Sequence, residues 1–228
     1  MKKKFISALF LLLITIFFSC TGQQNAFIPD PDFSVYDVTK RIQIDNITET
    51  KDGVSVNNMP LWLVTFVNDG IKAVEQIDAY NDKYVFIGVN EGNNFIVLNK
   101  WAENFSAVRD TAIMAAIRIE ERMILTASLY PDDEYGRFFE TFIKNAYSAE
   151  YTGAVKEDIY WFRRSGAQNA YSFFILITIE KNILQPIIRN MMSQASASVN
   201  AAANFATAPT SSQTASVNRL RQTFFEGF

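Results

Sequence analysis

The sequence predicts an α+β fold: a small, mainly antiparallel sheet with helices packed on one face, a flexible N-terminal tether and a low-complexity C-terminal tail. Three observations carry the prediction. Residues 155–164 alternate apolar and polar side chains, and after a turn at 165–169 the run 171–179 is apolar on both faces, as in a central strand. Between 97 and 123 apolar residues recur at spacings of three and four, which marks one face of a helix. Strand-like and helix-like segments come in runs rather than in strict alternation, which favours α+β over a parallel α/β sheet.

Of the 228 residues, 49% are hydrophobic and 14% aromatic, with 20 Phe, so the chain has ample material for one well-filled core. Residues 33–47 carry apolar points at Val35, Ile42, Ile44 and Ile47 that suit one or two short strands, and Asp52-Gly53 and Asn57-Asn58 mark turns. The main domain begins near Met59-Pro60-Leu61-Trp62. Residues 84–89 (YVFIGV) read as a strand closed by a turn at 90–93. The helical face then runs through Val97, Trp101, Phe105, Val108, Ala112, Ala115, Ile119 and Met123. A helix of that length exceeds the ordinary range, so a break is expected at 104–106, where Asn104 and Ser106 can cap a new helix.

Pro131-Asp132-Asp133-Glu134 ends that segment and opens the next helix, its acids meeting the positive end of the helix dipole. Phe138, Phe139, Phe142, Ile143, Ala146 and Tyr147 give that helix an apolar face, and it stops near Gly153. After the 155–179 hairpin, a last helix runs through Leu184 to about Gln194, with Pro186 confined to its first turn because it lacks an amide hydrogen. From 193 to 216 the chain is rich in Ala, Ser, Asn and Thr, and only 217–228 regains helical amphipathicity. The resulting division is a signal peptide over 1–19, lipid attachment and tether over 20–58, the α+β domain over 59–192, and the tail over 193–228.

The N-terminus carries the strongest functional signal. Lys2, Lys3 and Lys4 precede an apolar run from 5 to 18, too short for a comfortable membrane span, which needs about 20 apolar residues. Ser19 stands directly before Cys20, a small residue ahead of a thiol, as a lipoprotein signal peptidase requires; Phe17 and Phe18 occupy positions where Leu and a small residue are commoner. Cys20 is the only cysteine, so an internal disulfide and a CxxC metal site are both impossible. Acylation there gives firm attachment to a bilayer. Cleavage between Ser19 and Cys20 removes three basic residues and no acids, which leaves 18 against 24, a balance of −6 that disfavours a nucleic-acid partner.

The chain contains no histidine, which removes Ser-His and Cys-His pairs, histidine zinc sites and the commonest general base. Three acidic groups remain. Asp132-Asp133-Glu134 lacks the alternation and central glycine of a calcium loop. Glu120-Glu121 sits beside Arg118 and Arg122 on a face read as solvated, and Glu157 and Asp158 should point to opposite sides of a strand. Residues 88–92 (GVNEG) lack the spacing of a phosphate loop and read as a tight turn. Tyr160, Trp161, Tyr171 and Phe173 offer an aromatic ligand or partner surface, although core packing is the ordinary role of such residues. Phe228 ends the chain as in outer-membrane barrels, but Glu226, Phe224 and Gln222 do not continue an apolar row; the tail reads instead as a partner-binding or surface helix.

Met59-Pro60-Leu61-Trp62, the strand at 84–88, the alanine-containing helix at 107–123 and the hairpin at 159–179 resemble the plan of the Lpp-twenty family of bacterial lipoproteins, related to the N-terminal domain of the flagellar assembly protein FlgT. The resemblance covers roughly 59–188. The segment NNFIVLNKWAENFSAVRD and the PDDEYG turn are closer in look to uncharacterised spirochaete lipoproteins, whereas the long turn at 88–92 and the Ala/Ser tail depart from the family. The resemblance implies a non-catalytic envelope component with a protein partner, in some relatives part of a flagellar basal structure or outer-membrane assembly. No cofactor or metal is expected. Thr21, in place of an aspartate after the acylated cysteine, points to the outer rather than the inner membrane, with the domain in the periplasm or at the cell surface. The alternative is a lipoprotein that binds a small apolar or aromatic ligand.

Overall fold

The computed structural model describes residues 46–53, 59–135, 137–203, 210–226 and 228, with the side chains of 199–203 excepted. Ser19, Cys20, the expected tether as far as residue 45, all but the end of the 33–47 span expected to hold short strands and the turn at 57–58 lie outside them; residues 46–53, grouped with the tether over 20–58, are described and supply a strand to the domain's sheet. A four-stranded antiparallel sheet has the order β1-β3-β4-β2. Its strands are β1 (Ile47–Thr50), β2 (Lys83–Gly92), β3 (Val155–Arg164) and β4 (Tyr171–Glu180). The α+β class expected from the sequence is therefore the class observed. β4 is central and buried along nearly its whole length, as its doubly apolar pattern requires.

Odd-numbered residues of β4, Phe173, Ile175, Ile177 and Ile179, face the larger of two cores. Five helices cover that face: α3 (Phe95–Asn104), α4 (Ala107–Ser128), α5 (Phe138–Ser148), α6 (Lys181–Ala203) and α7 (Ser211–Glu226). Phe138, Phe142 and Phe224 are fully buried there, and each such side chain contributes roughly 1.5–3 kcal/mol by leaving water. On the opposite face Phe174 and Leu176 join a smaller core with Trp62, Leu63, Phe66 and Val74. Those residues come from α1 (Leu61–Asp69) and the short α2 (Ile71–Val74), two helices that the periodicity of 59–75 does not announce. Among the described residues, no helix is long and apolar enough to cross a membrane.

The expected break in the long helical segment is present. Ser106 caps α4, its Oγ accepting from the Arg109 amide at 3.3 Å, while the Asp110 carboxylate accepts from the Ser106 amide at 2.7 Å. The break resets the helical phase: Ala115, Ile119 and Met123 are buried, whereas Val97 and Val108, expected on the same face, point outward. α5 begins at Phe138 rather than at Asp132, because the acids occupy the preceding turn, and it ends at Ser148. Gly153 is positive in φ (86°), the backbone conformation that favours glycine, and a Cβ there would stand 2.9 Å from the Ile183 Cδ1 methyl, which would have to shift.

Three expectations about the C-terminal part are corrected. α6 starts at Lys181, immediately after β4, so Pro186 lies just beyond its first turn; the carbonyl it leaves without an amide partner is that of Asn182, an exposed residue that water can serve. The same helix continues through the Ala/Ser-rich stretch to Ala203 instead of stopping near Gln194. The terminal segment is not a surface helix. Val217, Leu220 and Phe224 of α7 enter the larger core, and the Phe228 ring lies 5.0 Å from both Tyr84 and Phe224.

Candidate functional site

Alternation along β3 decides where the aromatic residues go. Tyr160 and Phe162 point into the smaller core, while Trp161 joins Tyr171 and Phe173 on the larger-core face. The four proposed surface residues therefore do not share one surface: Tyr160 lies on the other side of the sheet, and both it and Phe173 are fully buried. Among the described residues, the Tyr160 hydroxyl has no hydrogen-bond partner.

On the other face Phe95 docks at 4.9 Å from Trp161 and 5.5 Å from Tyr171 and Phe173, edge-on to the first two. The rings fill this space with one another. Asn93 ties the start of α3 to the hairpin tip, its Nδ2 donating to Gln168 O at 3.0 Å and its Oδ1 accepting from the Ala170 amide at 2.9 Å. Asn94 caps α3 by accepting from the Val97 amide. With Phe95 drawn inward, Ile96 and Val97 are left 72% and 61% exposed.

A bulge changes the reading of Glu157 and Asp158. The β3–β4 register slips between Lys156 and Asp158, and the extra residue places both carboxylates on the α1 side of the sheet instead of on opposite sides. Glu157 accepts from Thr178 Oγ1 at 2.7 Å and Lys83 Nζ at 2.9 Å; these bonds outweigh its partial burial and hold its carboxyl below the usual range. Asp158 accepts from Trp62 Nε1 and Lys51 Nζ, each at 3.1 Å. With a lysine beside each acid, the pair ties α1, β2 and the residue after β1 to β3.

A buried ionic group lies at the free side of β2. Arg118 donates from Nη1 to Glu75 Oε1 at 2.6 Å and from Nη2 to Glu75 Oε2 at 3.1 Å, a two-point pair in which both residues are only 8% exposed. Glu75 also accepts from the Val85 amide at 2.9 Å, and Arg118 donates to the Val85 carbonyl at 3.0 Å. The pair thus satisfies both outward-facing polar groups of Val85 on an edge strand and runs from one face of the sheet to the other. Tyr84, Phe86 and Phe228 rings stand 5.1–5.5 Å from the guanidinium. Burial opposes ionisation of Glu75, but Arg118, Lys72 and the Val85 amide together hold its carboxyl below the ordinary value. Lys72, 3.5 Å from Glu75, is drawn down to about 8, first by burial of its stem and then by repulsion from Arg118, although 57% of its side chain meets solvent.

Arg118 and Arg122 were expected beside Glu120 and Glu121 on a solvated face. Both turn inward instead, Arg122 donating to the carbonyls of Thr223 and Phe224 at the end of α7, while Glu120 accepts from the Tyr147 hydroxyl. Residues 88–92 are not a turn: they belong to β2 and pair with 171–175, and Gly88 leaves room for the Phe105 ring, 3.4 Å from where a Cβ would stand. Asp133 faces Arg219 at 3.5 Å. Among the described residues, no three acidic or sulfur ligands gather as a metal ion would need. A cleft of about 310 Å³ between α5 and α6 is lined by Asn145, Glu150, Asn190 and Gln194 with Met191, a polar set unlike the aromatic one sought at the hairpin. No family model, no curated protein and no solved structure matches the chain.

Proposed function

We propose that this chain is a lipid-anchored envelope protein that works by contact with a neighbouring protein and has no catalytic role. The observation that carries the reading is the N-terminal pattern: three lysines, an apolar run too short to span, and Ser19 before the single cysteine, Cys20. A chain without histidine whose paired acids at 157–158 each meet a lysine, and whose Glu75 is held by Arg118, is well suited to rigidity and poorly suited to proton transfer. The resemblance to Lpp-twenty lipoproteins supports the same class of neighbour, a component of an outer-membrane or flagellar basal assembly. Thr21 after the cysteine favours the outer membrane.

Crosslinking in intact cells, followed by mass spectrometry, tests the contact role. The expected result is one protein neighbour recovered repeatedly with crosslinks confined to one face of the domain. A species that stays uncrosslinked at every reagent length, in cells where the protein is abundant, would count decisively against it.

A further inference from the structure

The chain leads back toward Cys20 from a definite place in the fold. Asn46, the first described residue, accepts from the Ser165 amide at 3.0 Å, and Ile47 pairs with Arg164, so the chain leaves beside the tip of the β3–β4 hairpin. The same end of the sheet holds the 93–94 turn, roped to that tip by Asn93, and the half-buried Trp161 and Tyr171. Here too stand Ile96 and Val97, both mostly exposed at the first turn of α3.

We propose that this end of the sheet meets the bilayer, with Ile96 and Val97 entering the lipid interface and Trp161 and Tyr171 at its margin. The proposal rests on the lipid anchor at Cys20 and adds to it an orientation and a second point of contact. Trp and Tyr are the side chains that settle at the headgroup level, and a few aliphatic groups beside them suffice for shallow insertion. Charge does not oppose the approach: Glu49 and Glu91 stand 3.9 and 2.8 Å from Arg163 and Arg164, and the Arg163 guanidinium rests 5.5 Å from the Tyr171 ring. Two aliphatic side chains fall far short of the roughly 800 Å² per partner that a stable protein interface buries, whereas a bilayer needs no such area when an anchor already holds the chain near it.

The test uses the native, full-length lipoprotein in phosphatidylcholine vesicles with and without brominated acyl chains, read by tryptophan emission. Bromine should quench the wild type; the quenching should fall in Trp161→Phe and in the Ile96→Asp/Val97→Asp pair, while all three proteins still float with the vesicles. Trp62, buried under the opposite face, and the half-buried Trp101 remain in Trp161→Phe and set its residual signal, against which the loss is read. Flotation with equal or absent quenching in all three would overturn the orientation and leave the anchor standing. Concentration-dependent dimers that protect Ile96 and Val97 without quenching would assign the patch to a second copy and also overturn it. Protein that stays in the supernatant would remove the anchor and the orientation together.

Discussion

Arg118 is a buried guanidinium held 2.6 Å from the Glu75 carboxylate at the free side of β2. In the run AIMAAIRIEER it reads as part of a solvated stripe, yet it is buried and donates to Glu75 and to the Val85 carbonyl, while Glu75 accepts from the Val85 amide. Removing one partner of such a pair strands a buried charge, so Arg118→Ala should cost about 3–5 kcal/mol in urea unfolding. A loss under about 1 kcal/mol would mean that the edge of β2 does not depend on it. Tyr160 makes the opposite prediction. Its buried hydroxyl has no partner among the described residues, so Tyr160→Phe should leave the unfolding midpoint unchanged or raise it, and a clear fall would reveal a bond to another part of the chain.

At the level of elements, legibility followed the strength of the local signal. The β3–β4 hairpin was readable from its alternation and its Ser-Gly turn, and the α3–α4 break from the side chains able to cap it. α1 and α2 were not, because two turns of aromatic and β-branched residues carry too short a period to separate from a buried strand. The one-residue bulge at Glu157 leaves no mark in composition, which is why the two acids were placed on opposite sides. α7 was legible as a helix from 217 onward; its first turns, 211–216, were hidden by poor helix formers, and its burial was missed although Val217, Leu220 and Phe224 already show the three- and four-residue spacing of a buried face. Tertiary packing supplies what its propensity lacks. Phe224→Ala should therefore cost about 3–5 kcal/mol and expose the Arg122 contacts, detectable as faster amide exchange throughout 211–226; exchange limited to the last turn would contradict a docked helix.

For the molecule as a whole, acid stability reports on the same ionic groups. Glu75 and Glu157 both have carboxyls held below the ordinary value in the folded state. The stability they contribute is complete above about pH 4.3, where an unfolded glutamate ionises, and is lost as pH falls through the depressed folded values. Unfolding followed from pH 7 to pH 2 should show a plateau and then a decline below that point, and Glu75→Gln should flatten part of the decline. A stability that rises on acidification would reverse the sign. Of the functional account, the proposed address rests on residues 2–20 alone, because signal chemistry is local and linear. The proposed membrane-facing end could not be read that way: it depends on where Asn46, Asn93 and the hairpin tip meet, and only the fold brings them together.

The most direct test of the account is the intact mass of the mature protein isolated from its own membranes. A chain that begins at Cys20 and carries the added mass of a diacylglyceryl group, with or without a further acyl chain on the new amine, is the result expected. A chain that retains residues 1–19, or one that carries a free thiol at position 20, would contradict it.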